Sequence, residues 1–257
     1  MMNWTKTGAG AITVTVPNRA SLCDDIEAHL RESRGFSVAT LNLDHVVKLD
    51  RDPAFREAYA AQTHVTADGN PIVWLSHLSG QRDIELTPGS ELIDPVAALA
   101  ARLGTGVALI GATEHSLETA AQTLGEKYPG LTIALTLSPP MGFDPTGQAA
   151  DAVIEEIRAS GARLVILALG APKQEIFAIH ALGRLPDVGF LSTGAGLDFI
   201  AGNQRRAPAW VRALAAEWLW RLLANPGRMA GRYAACVAAL PGLVLRSLAL
   251  RFRRPAP

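Results

Sequence analysis

The sequence predicts an α/β protein built on a mostly parallel sheet, with a basic helical appendage towards its C-terminal end. Three observations carry that prediction. Short apolar runs alternate with stretches of helical length, the pattern of successive βαβ units. One of these runs, Arg163–Leu169 (RLVILAL), is apolar at every position after its arginine, as a parallel strand covered on both faces requires. Beyond about Pro208 the strand signals stop, and Trp and Arg interleave on helices. The expected fold is therefore α/β, doubly wound and Rossmann-like. Its core is expected over residues 1–204 and the Arg-rich appendage over 205–257.

In chain order, Phe36–Val47 (FSVATLNLDHVV) reads as a strand and a turn, on its apolar and β-branched content. Asp52-Pro53 opens a helix to about Ala61, with Asp as N-cap and Pro at the first helical position. Gly106–Gly111 is a strand, followed by a helix from about Glu114 to Lys127 that stops at Tyr128-Pro129-Gly130. Leu131–Leu137 is a third strand, and Asp151–Ser160 a helix closed by Gly161. After Arg163–Leu169 a helix begins near Pro172, and Val188–Ser192 is the next strand. No internal repeat is visible.

The 257 residues are 49% hydrophobic and 19% charged, which supplies a core and excludes disorder. Net charge is zero, but residues 205–257 hold ten arginines against one acid, Glu217. The tail is thus about +9 and the rest about −9, which puts an anion-binding face near the C-terminal end. Cys23 and Cys236 form no zinc or CxxC pattern, so a reducing compartment is expected. No apolar leader follows Lys6. The longest apolar stretch, Ala234–Leu245, is broken by Pro241 and too short to span a bilayer, so the expectation is a soluble or peripheral protein.

Two glycine-rich turns follow predicted strands. In the first, Gly170-Ala171-Pro172-Lys173-Gln174-Glu175, a tight turn leads into a helix N-terminus whose amides and Lys173 suit phosphate oxygens. An ordinary strand-to-helix turn fits equally well. The second is Thr193-Gly194-Ala195-Gly196-Leu197-Asp198. Two such turns at one sheet edge mark the ligand crevice of an open α/β fold. Neither is a GxGxxG or a Walker loop, which disfavours a nicotinamide-dependent oxidoreductase. Asp68-Gly69 reads most simply as turn chemistry; the alternative makes Asp68 a general base on a loop beside the sheet. Thr40 and Asn42 share a strand face, either to orient a sugar or nucleotide or as the solvent face of an edge strand. Asp50-Arg51-Asp52 has DxD spacing but coincides with a helix cap, and the six histidines show no paired-ligand spacing. No metal is expected.

In the tail, Trp210, Leu214, Trp218 and Leu222 recur every four residues on a helix running to about Ala224. Such a stripe either packs on the core or docks on an anionic membrane surface, as Trp and Arg on amphipathic helices do. Arg206, Arg212, Arg221, Arg228 and Arg232 are planar forks that favour phosphate, and the first four are the candidates for an acceptor diphosphate. Nucleic acid is not expected, because stacking aromatics are not interleaved along the core.

Taken in order, TLN (40–42), DG (68–69), GAPKQE (170–175), TGAGLDFIAG (193–202), RRAPAW (205–210), EWLWRL (217–222) and NPGRMAGRY (225–233) resemble the WecG/TagA/CpsF family of bacterial glycosyltransferases. The resemblance implies an inverting, cofactor-free transferase on the cytoplasmic face of the membrane. It would move N-acetylmannosamine or a related sugar from a UDP-sugar to an undecaprenyl-diphosphate-linked acceptor. It implies Asp68 as catalytic base, Thr40 and Asn42 as pocket residues, and Gln174 as the polar residue of the nucleotide-binding turn. Thr40 is taken as catalytic with Asp68, and Asn42, Gly69, Gly170, Pro172, Lys173, Gln174, Glu175, Gly194, Gly196 and Asp198 are the residues expected around the donor. The segment Ser138–Pro145 (SPPMGFDP) is similar to the exopolysaccharide branch, which includes glucuronosyl transfer. Where the family commonly has an arginine, this chain has Leu86, with Arg82 nearby. A non-catalytic membrane-associated scaffold is the rival reading that this departure keeps open, and the sequence also leaves room for a homo-oligomer.

Overall fold

The computed structural model describes residues 2–5, 11–203, 208, 211, 217–224 and 226–253. Among these, six strands form one wholly parallel sheet: β1 (Phe36–Leu41), β2 (His64–Ala67), β3 (Gly106–Gly111), β4 (Thr132–Leu137), β5 (Leu164–Ala168) and β6 (Gly189–Ser192). Their order is β2-β1-β6-β5-β3-β4. The doubly wound α/β architecture expected from the alternation is therefore present.

Period-two alternation divides each strand between two helical layers. On one face, Val38, Leu109, Ile166 and Leu191 pack against α1 (Arg19–Arg31), α5 (Gly89–Leu103), α6 (Glu114–Lys127) and α9 (Gly196–Ile200), through side chains such as Ile26, Val96, Leu117 and Leu197. On the other face, Ala108, Ile110, Val165 and Phe190 meet α7 (Gln148–Ser160) and α8 (Lys173–Leu182) through Ile154, Ile157 and Phe177. Further along that face, Ala39, Leu41, Val65 and Ala67 support α2 (Leu43–Leu49), α3 (Pro53–Ala60) and α4 (Asn70–Leu78). Each fully buried Leu, Ile or Phe in these layers stabilises the fold by about 1.5–3 kcal/mol.

The segment expected as strand and turn over 36–47 divides earlier. Asn42 leaves the strand and accepts the His45 amide at 2.9 Å, so residues 43–47 continue as α2. Asp52 caps α3 by accepting the Phe55 amide at 3.0 Å, in the capping role expected for it.

Among the described residues of the C-terminal region lie two helices, α10 (Glu217–Ala224) and α11 (Pro226–Arg253). The expected break at Pro241 is absent, and α11 runs through it for 28 residues. Pro241 and Gly242 face solvent, while Leu243 and Ser247 two to six positions on are buried. The hydrogen bond that proline removes is offset by this packing. The limit on apolar length needs correcting too, because Met229–Phe252 is long and apolar enough, by length and composition, to cross a membrane.

One face of α11 lies on α2 and α4. Leu243 joins the apolar cluster that contains Met2, Trp4, Ile12 and Val14. Arg246 donates to the main-chain oxygens of Asn3 and Thr5, and the Ser247 hydroxyl lies 3.1 Å from the Met2 sulfur. Arg232 pairs with Asp44 of α2 at 2.6 Å. Two of the tail's arginines thus fasten the helix to the core.

Candidate active site

The sheet order sets β2, β1, β6 and β5 side by side. Each candidate segment leaves one of these four at its C-terminal end: Asn42 after β1, Asp68-Gly69 after β2, Gly170–Glu175 after β5, and Thr193–Gly196 after β6. The chain moves from β1 outward to β2, but reaches β6 from β5 on the opposite side. That reversal is where open α/β sheets form their ligand crevice.

Asp68 is half-buried and held from two directions. Its amide donates to Leu41 O at 2.7 Å, which extends the β1–β2 pairing by one residue. Its Oδ2 receives the Asn42 carboxamide nitrogen at 3.4 Å. Because the Asn42 oxygen caps α2, its nitrogen is the end turned toward Asp68. Gly69 has φ +102°, a conformation that side-chain-bearing residues rarely adopt, and so turns the chain sharply from β2 into α4.

Thr40 is buried, in register with Thr66 on the neighbouring strand. With β1 lying between β2 and β6, the edge-strand alternative for Thr40 and Asn42 is overturned. A feature that the sequence reading missed lies against Thr40. Helix α5 begins at Gly89, where an added Cβ would stand 3.2 Å from Thr40 Oγ1 and 2.9 Å from Ser192 O. Only glycine lets this helix start so close to the ends of β1 and β6. Leu86, just before it, bridges to Ala67 and is exposed, one step from Asp68.

The β5 turn differs from the open helix start that was expected. Pro172, after a cis Ala171–Pro172 peptide, is the N-cap of α8 and not its first residue. The Gln174 amide donates to Gly170 O at 3.1 Å, so it is engaged within the turn. Lys173 is half-buried at the head of the helix. Gln174 and Glu175 are almost wholly buried. Gln174 Oε1 accepts the Gly194 amide at 3.1 Å, and its Nε2 donates to Glu175 Oε1 at 2.9 Å, so one carboxamide ties the two glycine-rich turns together. Burial pushes the Glu175 carboxyl up to about 7, against the lowering effect of Gln174, its own amide and Lys48.

Gly194 has φ +58°, and a Cβ on Gly196 would meet Ile93 Cδ1 at 2.6 Å. Gly194 thus takes a backbone conformation that favours glycine, and at Gly196 a side chain would also crowd Thr193 Cβ at 3.1 Å and Ser90 Cα at 3.3 Å. Asp198 accepts the Ser116 hydroxyl at 2.9 Å, which ties α9 to the N-terminus of α6. Lys48, which no motif indicated, lies 2.9 Å from Asp44 and 3.4 Å from Ala171 O. The Arg232–Asp44–Lys48 chain thus runs from α11 to the β5 turn. Beneath the site, His45 bonds the Tyr59 hydroxyl at 3.0 Å, and burial drives His45 down to about 3.

No group of metal-ligating side chains occurs among the described residues. Arg206, Arg212, Trp210 and Leu214 lie outside the described residues. Arg221 and Arg228 sit on α10 and α11, and their side chains lie outside that description too. The described part of this region exposes Trp218, Leu223, Val237, Leu245 and Phe252.

A parallel sheet gathers glycine turns, a carboxylate and a buried carboxamide at one edge, the architecture of the α/β class. Comparison with protein families matches residues 9–256 to the glycosyl transferase WecG/TagA/CpsF family. The match spans nearly the whole chain, and the protein belongs to this family of glycosyltransferases, which act in cell-surface polysaccharide synthesis.

Proposed function

We propose that the chain is an inverting transferase that moves N-acetylmannosamine or a related sugar from a UDP-sugar to an undecaprenyl-diphosphate-linked acceptor. The observation that supports this most is the convergence of TLN, DG, GAPKQE and TGAG on four adjacent strand ends. Inversion needs in-line attack by an acceptor hydroxyl on the anomeric carbon, and Asp68 takes the proton from that hydroxyl. Asn42 orients the carboxylate, and Thr40 supports the same corner. Positioned general-base catalysis of this kind contributes roughly 10²–10⁴-fold. The two glycine-rich turns, with Lys173, receive the nucleotide diphosphate and stabilise charge on the leaving group.

The tail serves the acceptor. Arg206, Arg212, Arg221 and Arg228 hold its diphosphate, while the exposed apolar side chains of α10 and α11 rest on an anionic membrane surface. The enzyme is then peripheral on the inner face of the cell membrane, with 1–204 as catalytic core and 205–257 as the acceptor-facing part. A second reading, glucuronosyl transfer in exopolysaccharide assembly, rests on SPPMGFDP (138–145). A panel of UDP-sugars, assayed with a polyprenyl-diphosphate-linked acceptor, tests both. Transfer from one of them with inverted anomeric configuration is the expected result. Folded protein that transfers from none, and whose melting temperature UDP leaves unmoved, would overturn the assignment.

A further inference from the structure

Gln174 has two polar ends and almost no exposure. A carboxamide in such a place has two flips, of opposite hydrogen-bonding sense. The Gly194 amide is a fixed donor at one end, and Glu175 Oε1 accepts at the other, as it does when the carboxyl is ionised or carries its proton on Oε2. Turned over, the side chain would set N–H against N–H at Gly194 and oxygen against oxygen at Glu175. Without Glu175 the second constraint disappears. The carboxyl group is itself fully buried, and the Gln62 amide holds its main-chain oxygen at 3.1 Å. Its Oε2 is buried without a hydrogen bond among the described residues. An acidic side chain kept in so costly a setting, next to a residue that joins the two turns, has work to do there.

We infer that Glu175 is a positioning residue for donor binding, acting through Gln174: it fixes the flip of that carboxamide and so holds the Gly194 turn in register with the Gly170 turn. Glu175 therefore touches no substrate. This rests on the proposed reading that the two turns receive the donor's diphosphate. It also reassigns Glu175 from the donor contact that the sequence led one to expect.

The test measures UDP affinity and steady-state transfer for wild type, Glu175→Gln, Glu175→Met, Gln174→Ala and the double variant Gln174→Ala/Glu175→Met. Glu175→Gln keeps an acceptor oxygen and should bind UDP within about threefold of wild type. Glu175→Met keeps volume but offers no such acceptor, and should weaken UDP by about five- to tenfold, the effect of one lost buried hydrogen bond. In the Gln174→Ala background the same Met substitution should have less than about a twofold effect, because the group it acts through is gone. Equal UDP affinity in folded Glu175→Met, or effects of the two single changes that multiply in the double variant, would overturn the inference. Should Glu175→Met not fold, Glu175→Asp, which withdraws the carboxylate by one methylene, must weaken UDP by at least about threefold. Wild type that neither binds UDP nor transfers fails the functional reading instead, so the two failures are distinguishable.

Discussion

Replacing Glu175 with glutamine should change how stability depends on pH, and the sign follows from burial. The ordinary value for this carboxyl is 4.5, and in the folded protein it stands at about 7. Between those values the folded chain holds a proton that the unfolded chain has released, so stability falls as pH rises through this window. A shift of this size corresponds to on the order of 3 kcal/mol over the full range, and about 2 kcal/mol between pH 5 and pH 8. Glutamine cannot ionise and removes that dependence. His45 acts in the opposite sense. Its folded value of about 3 lies below the ordinary 6.5, so it adds stability as pH climbs through that lower window. Being common to both proteins, it cancels in the difference. Urea unfolding at half-unit intervals should therefore give curves whose stability difference grows in favour of Glu175→Gln as pH rises. Near pH 8 this should appear as a melting temperature about 4–8 °C higher relative to the pH 5 comparison. A difference flat across pH 5 to 8 would mean that the Glu175 carboxyl is ionised throughout, and the burial argument would fall.

Asp68→Asn should lower turnover by about 100-fold or more with UDP affinity unchanged, and unaltered turnover in a chemistry-limited assay would remove Asp68 as base. Activity should survive EDTA; loss restored by Mn²⁺ would bring Asp50 and Asp52 back into consideration. Leu243→Ala should destabilise the protein by about 2–5 kcal/mol by opening a cavity beneath α11, measurable as a lower urea midpoint. Trp218→Ser with Leu223→Ser should leave the melting temperature near wild type yet reduce sedimentation with anionic vesicles. Salt should weaken binding of the intact protein in the same assay, since exposed charges are screened over about 8 Å at physiological ionic strength.

The parallel sheet was legible because its interior strands are unbroken apolar runs: β3 and β5 lie within a residue or so of where GVALIG and RLVILAL put them. Strand β2 escaped notice because HVTA is only four residues long and carries two polar side chains, both buried by neighbours. Helix α2 escaped because its apolar residues merge with those of β1, and only the Asn42 cap separates them. At the candidate site, the two glycine turns could be found by residue type, since special backbone angles require special residues, whereas Asp68 is singled out as base by the family resemblance and by spacing reads first as a turn. Lys48 and the start of α5 at Gly89 could not, because what places them is the order of strands in space. The tail was misjudged at Pro241, where exposure of the proline and burial of its neighbours decide the outcome.

The clasp between α11 and the first residues joins positions 243 apart in the chain, Asn3 and Arg246. Such a contact has very high order and closes late in folding. At synthesis rates of about 5–20 residues per second, Met2 and Trp4 wait some tens of seconds before Leu243 emerges to cover them. During that interval Met2, Trp4, Ile12 and Val14 have the apolar side chains of β1, β2, α2, α3 and α4 to pack on, with one wall of their cluster missing. A chain halted before Leu243 would keep that wall open and offer a foothold to chaperones and proteases. The helix that carries the exposed apolar surface is thus also the part that completes the core, and only chains synthesised through it are fully closed.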